Sequence, residues 1–349
     1  MGKKIIEQIK KVSARMKSIA NTSVEEVCKI GIIDIRNWEW AQGVGIYGLY
    51  RYYEYCGEEA ELAWIRNWID ENIEKGLPER NINTTAPMYT VAHLAEQEGK
   101  YRPLCRDWAQ WVMDSLPRTK YGGFQHVVTG GENRMQLWDD TLFMTVLFLA
   151  KMGIIEKNQE YLRECERQFL LHAQYLMDRR TGLWFHGWTF DGNHNFADAR
   201  WARGNSWITA FIPDYLEMTG IDCGCGLFMR DVLQAQAEAL VKYQNEDGSW
   251  NTLIDDKSAY AEISATAGFA YGLLKSVRLG ILDGRYMAPA KRAAQAVMKN
   301  IAPDGTVENV SYGTGMGATL QDYRDIPLCP MTYGQAMAIM MMVELLEHI

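Results

Sequence analysis

The chain has 349 residues, 48% of them hydrophobic and 23% charged, with a net charge of −8. That balance suits a globular protein with a sizeable core and excludes disordered and fibrous classes. Its basic residues form no run longer than a pair such as Lys3-Lys4 or Lys10-Lys11, so the basic stripe that nucleic acid requires is missing, whereas an anionic small molecule held by one local arginine stays open.

Residues 1–10 alternate charged and apolar side chains, so neither a leader segment nor, with Ile6 where Ser or Thr is needed, a myristoylation signal is expected. From there two kinds of helical segment alternate. A segment with a charged face at 5–29 leads into one at 41–56 that is apolar almost all round and stops at Gly57. The pair then repeats: 58–75 with 85–98 (to Gly99), 101–115 with 141–152 (to Gly153), 160–178 with 206–219 (to Gly220), 228–244 with 263–279 (to Gly280), and 286–299 with 333–347. A helix apolar on most faces is buried on most faces, and a glycine in the left-handed conformation ends it. Six buried and six half-exposed helices predict an all-α fold of six αα-hairpins in a ring, an (α/α)6 barrel, as a single domain over residues 1–349. No apolar run approaches the ~20 residues of a membrane span, so no membrane partner and a cytoplasmic location are expected. The seven cysteines (28, 56, 105, 165, 223, 225 and 329) are expected to be reduced packing residues.

A second repeat supports the ring. Gly123, Gly182, Gly248 and Gly305, each followed closely by an aromatic or β-branched residue, recur at intervals of roughly 60 residues, the length of one helical hairpin with its loops. These loops are expected at the end of the barrel where the inner helices begin. Short stretches at 123–129 and 249–254 are candidates for small β-hairpins in the mouth loops, with no sheet core.

Of the 12 tryptophans, Trp64, Trp68, Trp108 and Trp111 sit at helical spacing on amphipathic segments and read as core. The other eight, among them Trp40, Trp138, Trp201 and Trp207, lie in loops or first helical turns beside Asp, Arg, His and Asn. Flat rings next to hydrogen-bonding groups suit a sugar, with its apolar C–H face and hydroxyl rim; plugging the barrel end is the simpler alternative. In Leu137-Trp138-Asp139-Asp140-Thr141-Leu142-Phe143-Met144 two adjacent carboxylates enter an apolar helix and diverge by ~100°, so they take different roles. One reading is an N-cap; the other is a general acid whose pKa burial raises. Arg203, in Trp201-Ala202-Arg203-Gly204-Asn205-Ser206-Trp207, is either a carboxylate clamp or an exposed loop arginine. His126, His186 and His194 lack metal-ligand spacing, and no nucleotide-binding or nucleophile-elbow motif is present, so neither metal nor cofactor is expected. The glycine-rich 313–317 reads as a mouth loop.

Those two motifs, together with Phe185-His186-Gly187-Trp188 and Tyr260-Ala261-Glu262-Ile263-Ser264-Ala265-Thr266-Ala267, resemble in that order the unsaturated rhamnogalacturonyl hydrolases of glycoside hydrolase family 105, and more distantly the unsaturated glucuronyl hydrolases of family 88. The resemblance runs from Trp38-Glu39-Trp40 to Asp322-Tyr323-Arg324-Asp325-Ile326-Pro327 and implies an (α/α)6 barrel that hydrates the vinyl ether of a 4,5-unsaturated uronic acid without metal or cofactor. It implies Asp140 as the proton donor to C4. His186, His126, Arg203, Trp207 and Trp40 are implied near the substrate, with Trp138 and Trp201 in the same motifs. Where many relatives carry a second Asp, this chain has Asn83, or in another register Asn81, and an amide cannot act as a base. The partner implied is an oligosaccharide. An ordinary six-hairpin glycosidase or sugar epimerase, and a non-catalytic carbohydrate-binding protein, are the alternatives.

Overall fold

The structure, a computed structural model, describes residues 2–20, 33–222 and 224–349. In chain order its helices are α1 (Gly2–Met16), α2 (Trp40–Cys56), α3 (Glu59–Lys75), α4 (Ile82–Gln97), α5 (Arg102–Asp114), α6 (Leu147–Ile155), α7 (Gln159–Leu176), α8 (Ala202–Thr219), α9 (Cys225–Tyr243), α10 (Ile263–Arg278), α11 (Met287–Lys299), a short α12 (Leu320–Arg324) and α13 (Thr332–Leu346). A π turn, Leu142–Val146, leads into α6. The even-numbered helices α2 to α10 pack successively on one another, and α13 packs on both α10 and α2, which closes an inner ring. The other long helices lie outside it, so the (α/α)6 barrel is the fold.

Hydropathy explains the two rings. α1 buries Ile5, Ile9, Val12 and Met16, one stripe at helical spacing, while every residue of α13 from Thr332 to Leu346 is buried. Gly57, Gly220 and Gly280 take the expected left-handed conformation after their helices. Gly153 does not: α6 runs through it to Ile155, and a Cβ there would lie 2.7 Å from Leu162 Cδ2 of α7. Its small size serves helix packing, not termination. Gly99 likewise begins a 3-10 turn (Gly99–Tyr101) with no left-handed backbone. The first outer helix ends at Met16 rather than continuing to 29, and positions 21–32, with Cys28, lie outside the described residues, as does Cys223. The described cysteines are all free thiols.

The repeated loops share a bond as well as a glycine. The backbone N–H groups of Trp184, Trp250 and Val307 donate to Asn205, Thr266 and Gln335, which occupy equivalent positions in the first turn of α8, α10 and α13. Each loop is thereby pinned to the start of the next inner helix, at one end of the barrel. The only ladder among the described residues is there too: β1 (Gln136–Trp138) pairs antiparallel with β2 (Gly187–Thr189), Leu137 opposite Trp188. The stretches 123–129 and 249–254, expected as hairpins, form isolated bridges only. The opposite end of the ring is sealed by buried polar groups, where Asp214 accepts from Lys275 at 2.6 Å and from the hydroxyls of Tyr271 and Tyr47. Among the described residues no helix is long and apolar enough to cross a membrane.

Candidate active site

At the open end β1 delivers Trp138, the chain turns at Asp139, and a helix begins at Asp140 with the π turn, a wide turn of the kind found at functional sites. The backbone N–H of Asp139 donates to His186 O at 3.0 Å, so the ladder itself places the two motifs side by side. The two carboxyls then part. Asp139 is fully buried, neither oxygen has a hydrogen-bond partner, and it does not cap the helix. Its carboxyl lies on the α-carbon of Gly204, in the first turn of α8, where a Cβ would come within 2.2 Å of Oδ2, so any larger residue at 204 collides with it. Burial, and then the charge of Asp140, push the Asp139 pKa well above the carboxylate range.

Asp140 faces the opening, with Oδ2 3.5 Å from His186 Nε2. Burial acts to raise its carboxyl, but His186 and His126 outweigh that and hold it below the usual range. Of the two carboxyls, burial thus favours the neutral form at Asp139, while the histidines favour the charged form at Asp140, whose raised pKa is expected only with substrate bound. His186 Nδ1 lies 2.7 Å from the Tyr323 hydroxyl, which accepts the Gly317 N–H at 3.2 Å. The hydroxyl has two acceptors in reach, Nδ1 and Met316 Sδ at 3.5 Å; the imidazole nitrogen is the stronger, so the phenol proton is assigned to Nδ1 and the imidazole proton to Nε2, toward Asp140. His126 Nδ1 lies 2.8 Å from Thr141 Oγ1, and burial pushes its pKa down to about 3, so its ring is neutral. The Trp138 ring stacks on His126 at 4.3 Å and meets His186 edgewise at 5.1 Å.

Arg203 is not an exposed loop arginine; it is 2% exposed, in the first turn of α8. Its Nη1 donates to Ser311 O, Ser311 Oγ, Tyr312 O and the Tyr333 hydroxyl, and its guanidinium lies over Trp201 at 4.3 Å and Tyr333 at 5.0 Å. Nε is buried without a partner. One edge of the fork is fixed, and the other remains for a ligand.

A narrow pocket brings together Trp40, Asn83, His126, Trp138, Asp140 and Arg203 with Met144 and Thr314. His186, Trp201 and Trp207 stand one layer behind, Trp207 edge-on to Trp40 at 6.4 Å. Asn83, not Asn81, is on the wall; Asn81 caps α4, its side chain accepting from Thr84 N. Sequence reasoning missed Tyr323, Tyr333, Ser311 and Glu39. Only Tyr323 and Glu39 carried a signal, standing inside the end motifs. Spacing also hid that Asp139, Asp140 and His186 place ligand-type atoms within 4.8 Å of one another. The Asp139 carboxyl of that set is packed against Gly204 and does not line the pocket, which Asp140 does.

A family model described as Glycosyl Hydrolase Family 88 matches residues 9–349. The unsaturated rhamnogalacturonyl hydrolase YesR of Bacillus subtilis is 30% identical over 315 residues, covering 89% of this chain and 90% of its own length. A crystal structure from Salmonella enterica, described as a possible member of the GH105 family, superimposes with a TM-score of 0.97 at 44% identity, covering 100% of this chain and 95% of its own. One from Klebsiella pneumoniae with the same description gives 0.95 at 44% identity, covering 99% and 93%. The chain belongs to glycosyl hydrolase family 88, with its similarity concentrated toward the family 105 branch, and is a glycoside hydrolase acting within a family of unsaturated uronyl hydrolases.

Proposed function

We propose that the protein removes a 4,5-unsaturated uronic acid from the non-reducing end of lyase-generated oligosaccharides, with a rhamnogalacturonan-type disaccharide as substrate. The observation that carries this reading is the pocket wall: one carboxyl, Asp140, faces one anchored guanidinium, Arg203, across aromatic rings. Hydrolysis at the anomeric carbon needs two carboxylates flanking the bond, ~5–9.5 Å apart. Asp139 is sealed away, and Glu262 is consumed by bonds from Ser264, Ala265 N and Ser311 N. Hydration of a vinyl ether needs only one proton donor and one water. The name borne by the Bacillus subtilis relative supports the choice of substrate.

In this mechanism the free edge of Arg203 holds the uronate carboxylate and Trp40 and Trp138 bracket the ring. Asp140 gives its proton to C4, water adds to C5 and returns a proton to the Asp140 carboxylate, and the C5 hemiketal opens by breaking C5–O5, leaving at C1 a hemiacetal that expels the sugar. Asp140 must therefore gain a proton when substrate binds. Substrate favours this twice: it expels water from a pocket walled by rings, and it sets a second negative charge beside Asp140. The step uses neither metal nor cofactor, residues 1–349 act as one catalytic domain, and the free thiols accord with a cytoplasmic setting.

Incubation with unsaturated disaccharides from several lyase digests, following the ultraviolet band of the conjugated ene-carboxylate, tests the proposal. The band should disappear fastest with the rhamnogalacturonan product. Cleavage of saturated glycosides with no loss of the band on any unsaturated substrate would overturn it.

A further inference from the structure

The Asp140 carboxylate left by the first step can take the proton of the attacking water, but that water must also be oriented toward C5, and the pocket wall places the amide of Asn83 to do so. Behind it stands a carboxyl that the mechanism above does not use. Glu39 occupies the residue before α2, where a side chain ordinarily caps the helix, yet it makes no cap bond. It is 2% exposed, the Thr129 hydroxyl donates to Oε2 at 3.3 Å, and the Asn83 side chain is near enough to lower its pKa. Asn81 Nδ2 donates in turn to Thr129 Oγ1 at 3.2 Å, so the hydroxyl is oriented toward Glu39. Oε1 is buried with no partner at all. A desolvated, under-bonded carboxyl is costly to keep, and a purely structural cap would not be built this way.

We infer that Glu39 is a positioning residue for the water-addition step: it takes an N–H of the Asn83 amide, turns the amide oxygen to the pocket and polarises it as an acceptor for the attacking water. This deepens the proposed function and rests on it. The physics is cooperative hydrogen bonding at low dielectric: an amide whose N–H is bound by a carboxylate carries more negative charge on its oxygen. Burial, only partly opposed by Asn83 and Thr129, raises the Glu39 pKa to about 7, so the carboxylate is about half formed at neutrality and complete only above it.

The test is a double-mutant cycle on turnover of the unsaturated disaccharide. Wild-type turnover measures the function proposed above, and the ratio of variant to wild type measures this inference, so the two fail separately. Glu39→Gln, equal in size, should lower kcat by about 10–100-fold with KM changed less than about threefold. Asn83→Asp supplies a carboxylate at the wall itself, so Glu39→Gln/Asn83→Asp should recover most of what Glu39→Gln lost. Asn83→Ala leaves the carboxyl in place and removes only the amide; it should match the kcat loss of Glu39→Gln, and adding Glu39→Gln to it should cost nothing more in kcat. Wild-type kcat in Glu39→Gln overturns the inference, and so do losses that simply multiply through either double variant.

Discussion

The hydroxyl of Tyr323 lies 2.7 Å from Nδ1 of His186, a residue 137 positions earlier in the chain. The contact joins the last mouth loop to the β1–β2 ladder, because the same hydroxyl takes the Gly317 N–H. It fixes the proton of His186 on the nitrogen nearest Asp140. Tyr323→Phe removes that constraint while keeping the ring, and should lower kcat about tenfold with a small change in KM. The ¹⁵N shifts of the imidazole should show a changed tautomer population. A variant with wild-type kcat and unmoved shifts would show that the contact is packing alone.

Much of this was legible in advance, for identifiable reasons. Ring closure follows from α13, apolar on every face, and such a helix has no other place than an inner wall. The pairing of Asp140 with Arg203 was readable because both sit in motifs at helix starts. What stayed hidden depends on contacts between distant hairpins: the space that seats Asp139 comes from Gly204, and the depressed Asp140 from His186 and His126. Gly153 misled for a related reason, since a glycine that lets two helices touch looks the same in sequence as one that ends a helix.

Arg203→Ala should raise KM about 10–150-fold, the worth of a charge-assisted contact to the uronate carboxylate. Wild type should prefer the free acid over its neutral methyl ester, and the variant should lose that preference. The buried anchors at Ser311 and Tyr333 lose their donor too, so Tm should also fall. Equal losses on acid and ester would remove Arg203 from the carboxylate subsite.

Acid should destabilise the fold through its buried histidines. His172, on α7, is buried with Nδ1 2.8 Å from Gln168 O and Nε2 unpartnered, and burial pushes its pKa down to about 4. Between about 4 and 6.5 the unfolded chain binds a proton that the folded one refuses, so stability is fully present above 6.5 and is lost as pH falls toward 4. For His172 the loss is about 3 kcal/mol once pH is below the folded value. Denaturant melts from pH 7 to 4 should show the decline, and His172→Asn, whose amide nitrogen replaces Nδ1, should flatten it. An identical pH slope in the variant would assign the decline elsewhere.

Asp139 and Asp140 give the sharpest comparison, since adjacent carboxyls are predicted to differ in every respect. Asp140→Asn keeps size and hydrogen bonding but has no proton to give C4, so kcat should fall about 10²–10⁴-fold with binding little changed. Burial favours the neutral form of Asp139, and Asn is close to isosteric with a protonated carboxyl, so Asp139→Asn should keep kcat within about tenfold. Because the buried oxygens it replaces have no partners, its effect should fall on Tm. Crowding the same place is the complementary probe: Gly204→Ala presses a methyl into the Asp139 carboxyl and should cost both Tm and kcat by displacing the turn that carries Asp140. If Asp139→Asn were the inactive variant and Asp140→Asn the active one, the donor would be the buried carboxyl and the assignment of the proton would have to be reversed.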